Sequence, residues 1–235
     1  MSEAELERAP PAPRADLPPL VAHFAERNLP RGSLPERVRF RQAGEMQLKL
    51  GHWLRFDAEQ EAAATRVEFA WLARFPIAPL VALRVADSYR AGDGALEVRL
   101  FGMPLQRMRG ADVAKGEAMR YLAELPWVPQ ALVANRELEW RELDEATVEV
   151  ATTVGRDRAA MRLHFDAAGD VVGASADDRP RAVGKGVVAT PFAGEFSDYQ
   201  TFGGVRVPST AAVRWELEDG PFVYFRGRIT SFASA

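Results

Sequence analysis

Glu117, Arg120 and Glu124 stand at i, i+3 and i+7, so all three can sit beside Tyr121 on or near one face of a helix. On a solvent face they make ordinary ion pairs worth about 0.3 to 0.5 kcal/mol each. Packed into the concave side of a sheet, the same residues would be partly buried and mutually paired, the setting that perturbs a carboxyl pKa. A second group is Phe196-Ser197-Asp198-Tyr199, followed by Gly203-Gly204-Val205-Arg206-Val207-Pro208. Asp198 and Tyr199 offer an acid and a hydroxyl donor, and they serve equally well to cap and pin the turn that the two glycines permit. Asp178-Arg179-Pro180-Arg181 reads as a turn rather than an anion clamp.

Other signatures of chemistry are weak. Gly184-Lys185-Gly186-Val187-Val188-Ala189 matches the dinucleotide-binding pattern, but Pro191, Gly194 and a strand-like Phe192-Ala193-Gly194-Glu195-Phe196 follow where a helix is required. It reads as a loop between strands. Arg179 occupies the position where a Walker A motif would place its first glycine, and no Gly-x-Ser-x-Gly elbow exists. His23, His52 and His164 are the only imidazoles and lie far apart, and no cysteine is present, so no metal site and no cofactor is expected from spacing.

The elements that must position these residues are mostly strands. Leu17, Leu20, Val21 and Phe24 follow Asp16 and Pro18 at helical spacing and predict a short N-terminal helix ended by Pro30, Gly32 and Pro35. From there the period is two. Val38 and Phe40 alternate with Arg37, Arg39 and Arg41, and after an expected turn at Ala43-Gly44 Met46, Leu48 and Leu50 alternate with Glu45, Gln47 and Lys49. The same alternation recurs around Phe69, Val98, Trp140, Leu163, Trp215 and Tyr224, separated by turn clusters such as Gly92-Asp93-Gly94, Gly155-Arg156-Asp157 and Asp219-Gly220. Connections this short imply antiparallel pairing, because a parallel partner needs a crossover of about a dozen residues or more. Asp112 to Leu125 breaks the pattern, placing Val113, Ala118, Tyr121, Leu122 and Leu125 on one helical face before Pro126, and Pro129 opens a shorter helix. The expected fold is therefore α+β: one large curved antiparallel sheet, an incomplete barrel, with one or two helices on its concave side and a short N-terminal helix. Residues 1–16 are expected to be a disordered tail and residues 17–235 a single half-barrel domain.

Composition narrows the function classes. The 235 residues are 47% hydrophobic and 27% charged, enough for one core and unlike a disordered, collagenous or rod-like chain. A net charge of -3 gives nucleic acid no electrostatic hold. Glu3, Glu5, Glu7 and Pro10, Pro11 and Pro13 stand where a secretory signal needs positive charge and an apolar run, and no stretch reaches the ~18 apolar residues of a membrane span, so a cytoplasmic protein is expected. Five tryptophans and 13 phenylalanines provide much core and can also wall a pocket.

Gln42-Ala43-Gly44-Glu45-Met46, Phe69-Ala70-Trp71, Asp87-Ser88-Tyr89 and above all Arg120-Tyr121-Leu122-Ala123-Glu124 with Trp127 and Pro129 resemble an uncharacterised bacterial family of unknown function, over about Leu17 to Gly227. The closing pattern from Asp198 to the last two strands is also similar to lipoprotein-carrier folds of the LolA and LppX kind, in which an incomplete barrel wraps helices and holds acyl chains. The chain lacks the carriers' export signal and lipidating cysteine, so that resemblance implies a fold and not their transport role. Taken together these observations favour a protein that binds an apolar or lipid-like small molecule. Trp71, Tyr121, Trp127 and Trp215 would supply the wall, and Arg120, beside Glu124, would meet a carboxylate or phosphate head group. The alternatives are an enzyme with Glu124 or Asp198 as general base and Tyr199 or Arg120 polarising an oxyanion, and a structural or interaction module with a solid core. Oligomeric state is not set by the sequence.

Overall fold

The computed structural model describes residues 16–30, 32, 34–49, 51–184 and 186–234; the expected tail, Asp16 excepted, Leu50 of an expected strand and Lys185 of an expected loop lie outside these. The chain enters through helix α1 (Pro19–Asn28) and forms six strands: β1 (Arg37–Lys49), β2 (His52–Ala63), β3 (Phe69–Ala78), β4 (Val81–Arg90), β5 (Asp93–Leu100) and β6 (Met103–Arg109). Helix α2 (Ala111–Ala123), a 3-10 turn (Leu125–Trp127) and helix α3 (Pro129–Ala134) follow. Seven more strands complete it: β7 (Glu139–Asp144), β8 (Thr147–Val154), β9 (Asp157–Phe165), β10 (Val171–Val183), β11 (Gly186–Phe202), β12 (Val205–Leu217) and β13 (Gly220–Ser234). All thirteen join one sheet in the order β6-β5-β4-β3-β2-β1-β13-β12-β11-β10-β9-β8-β7. Each described pair is antiparallel, and the two meanders meet where β1 pairs with β13. Among the described residues no helix is long and apolar enough to cross a membrane.

The alternation seen in the sequence sets the two faces. In β1, Val38, Phe40 and Gln42 are buried while Arg39 and Arg41 are exposed, and on that outer face Arg37 and Arg39 pair with Glu61 and Arg41 pairs with Glu59 across the register. The sheet must also curl. In the strand order β4 is third and β10 tenth, seven spacings apart, which is roughly 34 Å in a flat sheet. Yet Asp87 on β4 and Asp178 on β10 reach Arg120 and Lys115 of α2, each at 2.6 Å, and those two helix positions are only about 7.5 Å apart along the axis. The two limbs therefore close on the same helix, which packs against β4, β5 and β6 and against β8, β9 and β10. Among the described residues the edges β6 and β7 have no further strand partner, making this a half-barrel. Pro104, Arg107 and Arg109 on β6 and the brevity of β7 guard those edges.

Antiparallel order makes the hairpin turns alternate between two ends. At one end Gly94 lies against Ala114 of α2, the Tyr121 hydroxyl donates to the Ala63 carbonyl, and Phe24 of α1 meets Phe165 edge-on. At the other end the turns at Leu80, Phe101 and Val183 carry exposed apolar side chains, joined by Met103, Val187 and Val188.

Four local expectations are corrected. Gly186-Val187-Val188-Ala189 is not loop but the start of β11, paired with β10. Ala43-Gly44 is not a turn but the interior of β1, where a Cβ on Gly44 would collide with the Arg226 carbonyl oxygen of β13 and touch the Phe56 ring. Glycine there serves a close strand approach. Asp178-Arg179-Pro180-Arg181 is not a turn either: it continues β10 past an irregularity in register between Ala176 and Arg179. Asp93 and Gly94 belong to β5, with the turn at Ala91-Gly92.

Candidate ligand-binding cavity

Between the two limbs lies a cavity of about 550 Å³, within the range of small-molecule sites. Leu83, Val85 and Val98 wall it from β4 and β5, and Phe192, Val213 and Trp215 from β11 and β12. Trp71, Trp127, Arg120 and Glu124 also border it. Tyr121 does not: the turn of the helix directs its ring away, where its hydroxyl donates to Ala63 and accepts a hydrogen bond from Asn135 at 3.2 Å. Asp198 and Tyr199 do not border it either. Asp198 is exposed, at φ 55°, and accepts from Thr210 Oγ1, while the Tyr199 hydroxyl donates to the Val171 carbonyl at 2.8 Å. The expected meeting of Glu124 with Asp198 in one pocket is therefore not made.

The run Glu117-Arg120-Glu124 is buried rather than solvated. Arg120 donates from Nε to Glu124 at 2.8 Å, from Nη1 to Asp87 at 2.6 Å and from Nη2 to Gln60 at 3.5 Å, and Gln60 donates to Glu124. Its guanidinium carbon also lies 5.1 Å from the Phe69 ring centre and 4.8 Å from that of Trp71. Burial works against its charge, but Glu124, Asp87 and Glu117 more than compensate and raise its pKa. Glu117 is only 8% exposed. Burial, reinforced by the charge of Asp87 and opposed by Arg120 and Arg179, pushes its carboxyl up to about 8. Burial raises Asp87 too. Asp87 Oδ1 and Glu117 Oε2 each lack a hydrogen-bond partner among the described residues. One added proton turns either carboxyl into a donor, and the two buried, coupled carboxyls share the demand for it.

Facing this cluster are two arginines of β10. The Arg179 guanidinium carbon lies 4.4 Å from the Phe192 ring centre and 5.3 Å from that of Trp215, and its Nη1 donates to the Tyr224 hydroxyl at 3.1 Å. Arg181 donates from Nε to Thr190 at 3.2 Å. Both border the cavity.

Sequence reasoning picked out Arg120 and Glu124 from helical spacing and missed what they bind. Gln60 and Asp87 occupy apolar-parity positions, Gln60 in the row Phe56, Ala58, Gln60, Ala62 and Asp87 in Leu83, Val85, Asp87, Tyr89. A polar residue in an inward row is the signal that would have found them. His23, His52 and His164 stand apart on α1, β2 and β9, and no group of metal-ligating side chains comes together among the described residues.

A family of unknown function, DUF6544, matches residues 9–227. The chain belongs to this family. Among solved structures, this DUF6544 chain is similar to a LolA superfamily protein from Nitrosomonas europaea, with a TM-score of 0.49 and 11% identity over 92% of each chain. It is also similar to a β-barrel-like protein of the domain of unknown function DUF1849 from Brucella abortus, with a TM-score of 0.24 and 10% identity over 86% of this chain and 98% of that one. No curated protein matches.

Proposed function

We propose that the protein binds an apolar or amphipathic, lipid-like small molecule in the hollow of the half-barrel, with α2 and the following 3-10 turn packed on the concave side as its floor. The observation that carries this reading is the cavity of about 550 Å³ walled by apolar side chains of both limbs. A solid interaction module would fill that space, since protein interiors otherwise pack to crystal density. The apolar hairpin tips at the end away from the helices support entry of a chain-like molecule from that side. Catalysis draws less support, because Glu124 is held by Arg120 and Gln60 while Asp198 and Tyr199 lie outside the cavity.

The test is direct. Native mass spectrometry of the purified protein is expected to find a bound lipid-like molecule, and the neutral fluorophore N-phenyl-1-naphthylamine is expected to bind saturably at one site. Val213→Phe, which enlarges a wall side chain on the inward row of β12, is expected to abolish that binding while the unfolding midpoint is retained. Absence of both a co-purifying molecule and fluorophore binding overturns the proposal.

A further inference from the structure

Resting on this reading, we propose that the cavity selects a single-chain amphiphile with an anionic head group, held by Arg179 and Arg181 of β10, and that Glu117 across the cavity tunes the preference. Most arginines that contact a carboxylate do so on the outer face or at the helix-plugged end, and Arg120 is saturated by Asp87, Glu124 and Gln60. Arg179 and Arg181 differ: among the described residues neither has a carboxylate within ion-pairing distance, and Arg179 Nε is buried with no partner at all. Aromatic faces offset part of such a burial, at about 0.5–2 kcal/mol per cation–π contact, and leave the guanidinium donors unmatched. A carboxylate or phosphate monoester matches that fork, and its alkyl chain would lie along Leu83, Val85 and Val98.

The acid cluster opposite permits an anion because it carries its own counterions. Four carboxyls border the cavity, Asp87, Asp112, Glu117 and Glu124, against Arg120, Arg179 and Arg181, so one proton held by the buried Asp87 and Glu117 balances the charges. The groups that act on Glu117 are Asp87 from β4, Arg120 and Glu124 from its own helix, and Arg179 from β10. Once Glu117 ionises, above about pH 8, the cavity lining carries a net negative charge and its hold on an anion weakens. An amine or quaternary ammonium head would instead leave both arginines unpaired and beside a like charge.

Displacement of N-phenyl-1-naphthylamine by four ligands sharing a twelve-carbon chain tests the proposal: laurate, dodecyl phosphate, dodecanol and dodecyltrimethylammonium. Laurate or dodecyl phosphate is expected to displace the fluorophore at least tenfold more strongly than dodecanol, the better of the two naming the head-group source, and dodecyltrimethylammonium is expected to be weakest. Arg179→Gln with Arg181→Gln should bring the anions to the level of dodecanol measured on the same variant. Glu117→Gln should abolish the loss of anion affinity between pH 7 and 9. Equal displacement by the anions and dodecanol on the unaltered protein overturns the anion selectivity while leaving the cavity reading intact. Failure of the fluorophore and all four ligands to bind overturns both. The comparison on the unaltered protein decides even if a variant does not fold.

Discussion

Glu117 carries a stability signature of its own. In the unfolded chain it ionises near the ordinary glutamate value of 4.5, whereas in the folded protein it keeps its proton until about pH 8. Between those values the unfolded state alone releases the proton, so this residue's contribution to stability falls as pH rises from about 4.5 to 8 and then levels off. Glu117→Gln removes that slope. The variant is expected to match the parent protein in thermal midpoint at pH 4 and to exceed it at pH 8.5, read by circular dichroism; an equal gain at both values would refute the buried-proton account. Asp170 works in the opposite sense. Arg206 holds it with two hydrogen bonds of 2.6 and 2.7 Å and lowers its pKa, so its stabilisation is present above the unfolded carboxyl value and is lost as pH falls through the folded one.

At the scale of elements, two glycines at different contacts of α2 have opposite roles. Gly94 on β5 admits α2: a Cβ there would stand 2.5 Å from Ala114 Cα, backbone that cannot yield without moving the helix. Gly116 lies in the middle of α2, and a Cβ there would meet nothing nearer than 3.8 Å, at the Pro180 carbonyl oxygen. Gly94→Ala is therefore expected to destabilise by about 1–3 kcal/mol through overpacking. Gly116→Ala should stabilise by about 0.5–1 kcal/mol through helix propensity. Urea midpoints with unchanged m-values would measure both, and a destabilised Gly116→Ala would mean that α2 has no room against β10.

For the whole molecule, the decisive contact is β1 with β13. The meander from β1 to β6 and the one from β7 to β13 share that central pairing and the helical connection, so neither limb buries its inner face without the other. We expect one cooperative unfolding unit. Tryptophan fluorescence and far-ultraviolet circular dichroism should give coincident urea transitions, since Trp53 and Trp71 report on one limb and Trp140 and Trp215 on the other. Two separated transitions would show that the limbs fold independently. Pairing the first strand with the last also closes a long loop before it yields contacts, so refolding should be slow for the protein's size.

The sequence by itself marked β1, β3, β5, β7, β9, β12 and β13, the antiparallel sense of the sheet and the midchain helix, because side-chain parity and turn residues are local signals that need no partner. It also marked Arg120 and Glu124, whose spacing on one helix turn is fixed by geometry alone. Local signals misjudged Gly44 and Arg179, where the chain continues as strand because a neighbour across the sheet demands close approach or supplies pairing. Only the tertiary structure decided that the limbs curl round α2, that Asp87 and Gln60 complete the Arg120 cluster, and that Tyr121 turns away from the cavity. Those outcomes depend on residues dozens of positions apart being brought within a few ångströms, and on the loss of water that makes a proton on Glu117 cheaper than a charge.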